Sequence, residues 1–430
     1  MKKNSRIDIF IIGFALFSMF FGAGNVIFPP YLGMGAGPHW LAGFVCYYIA
    51  DIGLALLALF SMFHKGGADP IVEPIGKIPS TILMCAIVLC IGPMLAIPRT
   101  AATTFEMSVT PLTSSVNTVV FSIIFFVVIF LLTVRETSVV DIVGKILTPM
   151  LLIGLLILII KGVITPIGEI STVAQTPNVA ATGIKAGYQT MDVLATMLFG
   201  VLILHSTESK GYIAQDEKRN VAAKSGLVAG AILLVVYGGL TYLGATVSTI
   251  YDLSIPRSNL VLNIVRSLLG QKGTVLFAIV VALACVTTAV GLVSSCSEFF
   301  SKLTNGRLSY PVLVTIICVF SAVVSNVGLE QLLAVAAPVL DIVYPPTLVL
   351  IVLSYFKPLP LLVYRMATLG SLIFSILAAI STYTSFSMPF LNMLPFASLG
   401  FGWILPAVVF ALLGLLLGRS SLSNGAKNSH

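Results

Sequence analysis

Six ionisable residues fall within or beside long apolar runs of the 430-residue chain: Asp51, Arg99, Glu106, Asp192, Glu298 and Asp341. An ionised side chain at the centre of a bilayer costs at least about 2.5–3.5 kcal/mol, so each needs a partner, water or a bound ion. Two adjacent hydroxyls, Thr287 and Thr288, follow Ala284 in the pattern A-x-x-T-T. Near the N-terminus the stretch FFGAGNVIFPP, Phe20 to Pro30, sets Gly22, Gly24, Asn25, Pro29 and Pro30 inside an apolar run. Residues of these kinds bind ions and small polar groups. Covalent catalysis is not indicated, because His39, His64, His205 and His430 are far apart and no HExxH, GxSxG or Walker A pattern occurs. The six cysteines lie in apolar runs with no CxxC pair and read as small buried hydrophobes. The expectation is a protein that is not an enzyme and holds no cofactor.

The elements that must position these residues follow from composition. With 58% hydrophobic and 9% charged residues, the chain falls far from the quarter of charged positions usual in soluble domains. It reads as an all-α polytopic membrane protein whose main partner is the lipid bilayer. At about 20 apolar residues per crossing, about twelve transmembrane helices are expected, near residues 7–30, 40–63, 80–104, 117–134, 142–162, 187–206, 225–248, 274–299, 310–326, 331–355, 366–384 and 400–418. The first run has no clear cleavage site and is expected to be retained. Residues 1–430 then form a single transporter domain, without a basic domain that could bind nucleic acid.

Orientation follows from charge. With a cytoplasmic N-terminus, seventeen of the 23 lysines and arginines, among them Lys2, Lys3 and Arg135, sit at inside ends. Only Lys161, Lys185, Arg257, Arg266 and Lys272 lie outside, and Arg99 is within a span. This positive-inside bias, with an even number of crossings, predicts a multi-pass protein of the cell membrane with both termini cytoplasmic.

A broken helix survives in lipid only where it is buried in protein or lines a cavity. Gly22 and Gly24 make unwinding cheap, Asn25 competes for backbone groups, and Pro29 and Pro30 are expected to end the outer half of helix 1. SMFFG (Ser18 to Gly22) finds an echo in TMLFG (Thr196 to Gly200). The two lie in helices 1 and 6, so a second break is expected at the echo. Five helices separate the two points, and an odd repeat inverts its second copy. Matching breaks in an inverted repeat point to a substrate site at the membrane midplane.

FFGAGNVIFPP, IGPMLAIPRTAATTFE (Ile91 to Glu106), QTMDVLATMLFG (Gln189 to Gly200) and ACVTTAVGL (Ala284 to Leu292) together resemble the branched-chain amino acid:cation symporter family. The resemblance spans essentially the whole chain. It implies a leucine-transporter-like fold: a 5+5 inverted repeat (about 7–162 and 187–355), two extra helices (about 366–418), and helices 1 and 6 unwound at mid-membrane. It also implies uptake of leucine, isoleucine and valine with a cation, usually Na+. A zwitterion needs donors for its carboxylate and acceptors for its ammonium, and half-helix ends offer both without a full buried charge. The amides of Gly22, Ala23, Gly24 and Asn25 are therefore candidates for the carboxylate. Carbonyls from Met191 through Asp192 and Ala195 to Thr196 are candidates for the ammonium. Phe20, Met197 and Phe199 are plausible walls for an aliphatic side chain.

In the wider fold, A-x-x-T-T resembles the helix 8 half of a sodium site. Carried over, it implies Na+ as coupling ion on the carbonyls of Ser18, Phe21 and Ala284 and the hydroxyls of Thr287 and Thr288, oxygen ligands that suit a hard cation. Threonines that only bond their own helix are the structural alternative. Asp192 is a candidate for cation binding, gating or proton transfer; Arg99 is a gating candidate pairing Asp192 or another acid; Asp51 is a packing or inner-gate residue. Glu106 and Glu298 read as solvated helix-end residues. The other functional reading is a proton-coupled symporter of another small amino acid or organic solute.

Overall fold

The computed structural model describes residues 5–113, 115–134 and 139–427. Lys2, Lys3, Arg135 and His430, which entered the charge and histidine readings, lie outside the described residues. The helices fall into the twelve expected segments. Helix α1 is split into α1a (Ser5–Phe20) and α1b (Ala23–Ala36). α2 covers 40–65 and α3 covers Lys77–Val109. α4 (Thr118–Val134) and α5 (Val139–Ile164) complete the first five. α6 is split into α6a (Val179–Thr190) and α6b (Asp192–Ser209). There follow α7 (Gln215–Ala245), α8 (Arg257–Leu303, bent at Gly270), α9 (Tyr310–Val324), α10 (Leu329–Leu353), α11 (Leu361–Tyr383) and α12 (Ile404–Lys427). Helices 1 and 6, five apart, are the interrupted pair, as a leucine-transporter-like fold requires.

Three sequence expectations are corrected. Pro29 and Pro30 do not end the outer half of helix 1; α1b runs through them to Ala36. They lack amides for the carbonyls four residues back, those of Asn25 and Val26, so the first turn of α1b is loosened, not stopped. The second break is not at TMLFG, which lies inside α6b, but at Met191, five residues before Thr196. There φ is +72°, a left-handed conformation on a non-glycine residue. Helix 6 does not begin near residue 187 but at Val179, the start of α6a.

The centre of the molecule is built by close crossings. α1b packs on α7 where a Cβ on Gly33 would lie 1.8 Å from the Thr241 carbonyl oxygen, and one on Gly244 1.9 Å from that of Pro30. Only glycine at both positions lets the backbones touch. One continuous core surrounds the breaks, with Phe17, Phe20, Phe21, Tyr47, Tyr237 and Tyr344 its largest fully buried side chains. α2 and α3 are not regular either: wider π-helical turns occupy Ile49–Gly53, Cys90–Met94 and Phe105–Val109. Such turns re-aim side chains, and the first carries Asp51. Outward-facing aliphatics such as Ile123, Ile124, Val127 and Leu131 of α4 suit a lipid surface. Cys90, Cys285, Cys296 and Cys318 are buried, Cys46 and Cys85 half-buried, and all six are free thiols.

Candidate functional site

The break in helix 1 is local chemistry. Phe21 still donates to the Phe17 carbonyl (2.8 Å), and then Gly22 turns extended (φ −112°, ψ −169°) as the residue before α1b. The carbonyls that follow Phe17 at the end of α1a and the first amides of α1b stand outside a continuous helical ladder. The Asn25 amide, however, donates to the Gly22 carbonyl (3.2 Å) and, against expectation, is not free for a carboxylate. Ser18, Phe20, Phe21, Gly22, Ala23, Gly24 and Asn25 are thus gathered at one pair of helix ends within the core.

Gly22 faces α8. A Cβ there would meet Thr288 Cγ2 at 3.5 Å and Thr288 Oγ1 at 3.7 Å. Thr288 Oγ1 is buried with no hydrogen-bond partner, whereas Thr287 Oγ1 donates to the Ala284 carbonyl at 2.8 Å. The two threonines therefore differ: Thr287 bonds its own helix, and Thr288 turns an unsatisfied hydroxyl to the break. An orphaned buried hydroxyl beside freed carbonyls has the chemistry of a ligand set for a hard cation, oxygen atoms only.

The break in helix 6 is occupied by charge. Arg99, in a stretch of α3 (Ala96–Thr104) that is buried throughout, is only 5% exposed. Its Nη1 donates to the Gln189 carbonyl (2.6 Å) and Nη2 to that of Thr190 (3.2 Å), the last carbonyls of α6a. A guanidinium at a helix C-terminus meets the negative end of the dipole. Arg99 and Asp192 attract each other as buried charges, while the direct hydrogen-bond partners of the guanidinium are the two α6a carbonyls. Within the expected ammonium site, the Met191 carbonyl accepts from the Ala195 amide and the Asp192 carbonyl from Thr196 Oγ1. The unclaimed carbonyls of this break sit on α6a, and Arg99 takes them.

Asp192, the first residue of α6b, accepts from Asn25 Nδ2 at 2.9 Å, and the same amide group reaches Tyr237 Oη of α7. Thr190 Oγ1 donates to Asp51 Oδ1 (2.8 Å), while Asp51 Oδ2 is buried without a partner. Asp51 is fully buried and Asp192 nearly so. Arg99, Asp51, Asp192, Asn25, Thr190 and Tyr237 therefore form one polar cluster that ties helices 1, 2, 3, 6 and 7 at the two breaks. Asp51 belongs to this cluster.

The apolar surroundings include Phe20, Met197 and Phe199, all buried, with Ala195 and Thr196 buried on α6b. Tyr47 and Tyr237 pack edge to face (5.7 Å between centroids), Phe21 stacks on Tyr237 (6.1 Å) and Tyr188 on Tyr344 (4.4 Å). Sequence reasoning missed Thr190 and these tyrosines. Their only signal is a polar tip inside an apolar run, which tyrosines at a membrane interface share. Of the remaining acids, Glu106 is not a solvated end residue: it accepts from Ser258 Oγ (2.6 Å) and the Leu329 amide (3.2 Å). Glu298 pairs with exposed Lys302, as its position near a helix end suggested. Asp341 accepts from Tyr383 Oη of α11 (2.9 Å).

Residues 5–421 match the family described as "Branched-chain amino acid transport protein". The chain is 36% identical over 427 residues to the branched-chain amino acid permease BraB of Bacillus subtilis (strain 168), covering 95% of each chain. It is 35% identical over 434 residues to the permease BrnQ of Escherichia coli (strain K12), covering 98% of each. Among solved structures it is similar to Mhp1, a nucleobase-cation-symport-1 family transporter in a closed conformation, with a TM-score of 0.66 at 12% identity over 97% of this chain and 93% of that one. A Na+-coupled sialic acid symporter superposes with a TM-score of 0.59 at 13% identity over 94% and 90%. These last two likenesses concern fold alone, and they agree with the leucine-transporter-like architecture. On a match that runs almost end to end, the chain belongs to the branched-chain amino acid transport protein family, whose members are transporters and not enzymes.

Proposed function

We propose that the protein imports leucine, isoleucine and valine by symport with a cation, Na+, through alternating access, with both termini cytoplasmic. The observation that carries the reading is the pair of helix breaks at Gly22 and Met191, buried in the core and joined by one polar cluster. A zwitterion finds opposite charges there, and an aliphatic side chain finds the surrounding aromatic core. The names of the relatives, permeases for branched-chain amino acids, support the substrate class. One methylene changes binding by only about 1–3 kcal/mol, so a single pocket serves all three substrates. Sodium is supported by the Thr288 hydroxyl facing the break, with the carbonyls of Ser18, Phe21 and Ala284 and the lone pairs of Thr287 as further oxygen ligands.

A second reading, proton coupling, is favoured by the buried Asp51 and Asp192, since carboxyl groups gathered in low dielectric resist double ionisation. Purified protein in liposomes, given labelled isoleucine under separately imposed sodium and proton gradients, decides between them. Sodium-driven accumulation is expected. Failure to accumulate any branched-chain amino acid overturns the substrate, and proton-driven accumulation that Thr288→Ala leaves unchanged overturns the sodium site.

A further inference from the structure

We propose that Arg99 is the residue that recognises the α-carboxylate of the substrate, clamping it against the first turn of α1b. The inference rests on the amino acid reading above and changes how the site works, because carboxylate recognition then uses a full buried charge as well as helix amides.

The guanidinium lies against α1b: a Cβ on Gly24 would come 3.0 Å from Nη2 and 3.1 Å from Cζ. The absence of that Cβ is what lets Arg99 approach the second residue of the helix. The group also stands 6.0 Å from the centroid of the Phe28 ring, one turn further along. Two positive features thus face each other in a buried setting, the opening amides of a fourteen-residue helix and a guanidinium. Such an arrangement is favourable with an anion between them and unfavourable without one.

Arg99 has donors to give. Its two bonds to the α6a carbonyls engage Nη1 and Nη2, while Nε is buried and has no partner. An orphaned charged donor in a buried site is costly, and a carboxylate satisfies it in a planar, bidentate fashion that a lysine cannot match. The nearby acids make no hydrogen bond to the guanidinium: Asp192, which attracts it as a charge, accepts from Asn25, and Asp51 accepts from Thr190. Asp192 follows Thr190, whose carbonyl Arg99 holds, by two residues, and Asp51 accepts from the Thr190 hydroxyl, so the cluster offers opposite charges for the two ends of a zwitterion. Arg99 also joins substrate to helix 6, since the same guanidinium holds the end of α6a. Carboxylate binding would draw α1b and α6a together through one side chain.

The test is ligand discrimination. Binding of L-isoleucine and of L-isoleucinamide, which keeps the ammonium and side chain but has no carboxylate, is measured on purified full-length wild type, Arg99→Gln and Arg99→Lys. Wild type is expected to prefer isoleucine by at least about a hundredfold, the penalty for leaving a buried polar site unpaired. Arg99→Gln should lose most of that preference, weakening isoleucine at least about tenfold more than isoleucinamide, since the bonds to α6a are lost for both ligands and the charged pair for isoleucine alone. Arg99→Lys keeps the charge and guards against loss of fold; it should retain part of the preference for isoleucine over isoleucinamide. Equal weakening of both ligands, or a preference unchanged in either variant, overturns the role of Arg99. Wild type that binds neither ligand instead overturns the branched-chain reading itself, so the two failures are distinct.

Discussion

At the scale of single residues, the site is decided by which buried polar atoms have partners. Thr287 and Thr288 are adjacent and chemically identical, yet one hydroxyl is spent on its own helix and the other is left over at the helix 1 break. Thr288→Ala should therefore raise the sodium concentration needed for half-maximal isoleucine uptake by about tenfold or more, taking about 1.5–3 kcal/mol for a hydrogen-bond-strength contact to a charged group. Thr287→Ala should have the smaller effect; titration of uptake against sodium in liposomes reads both. Asn25 is the other pivot, bridging Asp192 and Tyr237. Asn25→Ala leaves the buried Asp192 carboxylate without that donor, at about 1–3 kcal/mol. Lowered thermal unfolding of the purified protein and lost isoleucine binding are expected together. The sequence showed Asn25, Asp192 and Thr288 as candidates because polar residues in apolar runs are conspicuous. It could not show their partners, which lie up to 212 positions away.

At the scale of elements, two breaks and one tight crossing set the geometry. The first break is written locally, in glycines around Gly22. The second is not: Met191 adopts positive φ although nothing in its side chain favours it. The surrounding contacts hold it there, Thr190 on Asp51 and Arg99 on the α6a carbonyls. The echo TMLFG misled for a related reason, since a shared pattern of small and aromatic residues fits a packed helix as readily as a broken one. The crossing of α1b and α7 gives a sharper expectation. Gly33→Leu and Gly244→Leu each drive side-chain atoms into a facing backbone carbonyl that cannot move independently of its helix. Overpacking of this kind costs about 1–3 kcal/mol or more, and both variants should melt at lower temperature and transport poorly. Gly291→Ala, inside α8 where an added Cβ meets nothing within 4 Å, should fold normally and gain about 0.5–1 kcal/mol of stability from the better helix former.

At the scale of the whole molecule, polar contacts tie helices together at both ends of the bundle. At the end where α1a begins, Asp8 pairs with Lys210 (3.0 Å) and accepts from Tyr212 Oη (2.9 Å), and Arg219 donates to the Phe63 and His64 carbonyls. At the opposite end Arg257 pairs with Glu330 and lies over the Tyr31 ring (4.4 Å), while Glu106 staples Ser258 to the start of α10. The alternating access proposed for this protein would require the two sets to open in turn. Asp8→Asn weakens the first set by about 1 kcal/mol, the order of a partly exposed ion pair. It should shift the population toward opening at that end about fivefold. Alkylation of buried Cys285 in a variant with no other cysteine is the readout: faster labelling in Asp8→Asn is expected, and an unchanged rate refutes a closing role for Asp8.

Composition and periodicity alone determined that this chain is a many-helix membrane protein, and the glycines at 22 and 24 alone marked where its first helix breaks. Both are local properties: apolar runs must match the bilayer, and unwinding is cheap where Cβ atoms are missing. Tertiary structure decided the rest. It placed the second break at Met191, set Arg99 on the end of α6a against Gly24, and brought Asp51 to Thr190. It also left Thr288, and not Thr287, facing Gly22. The reason is common to all four. A buried polar group is defined by the partner that neutralises it, and in this protein those partners arrive on other helices.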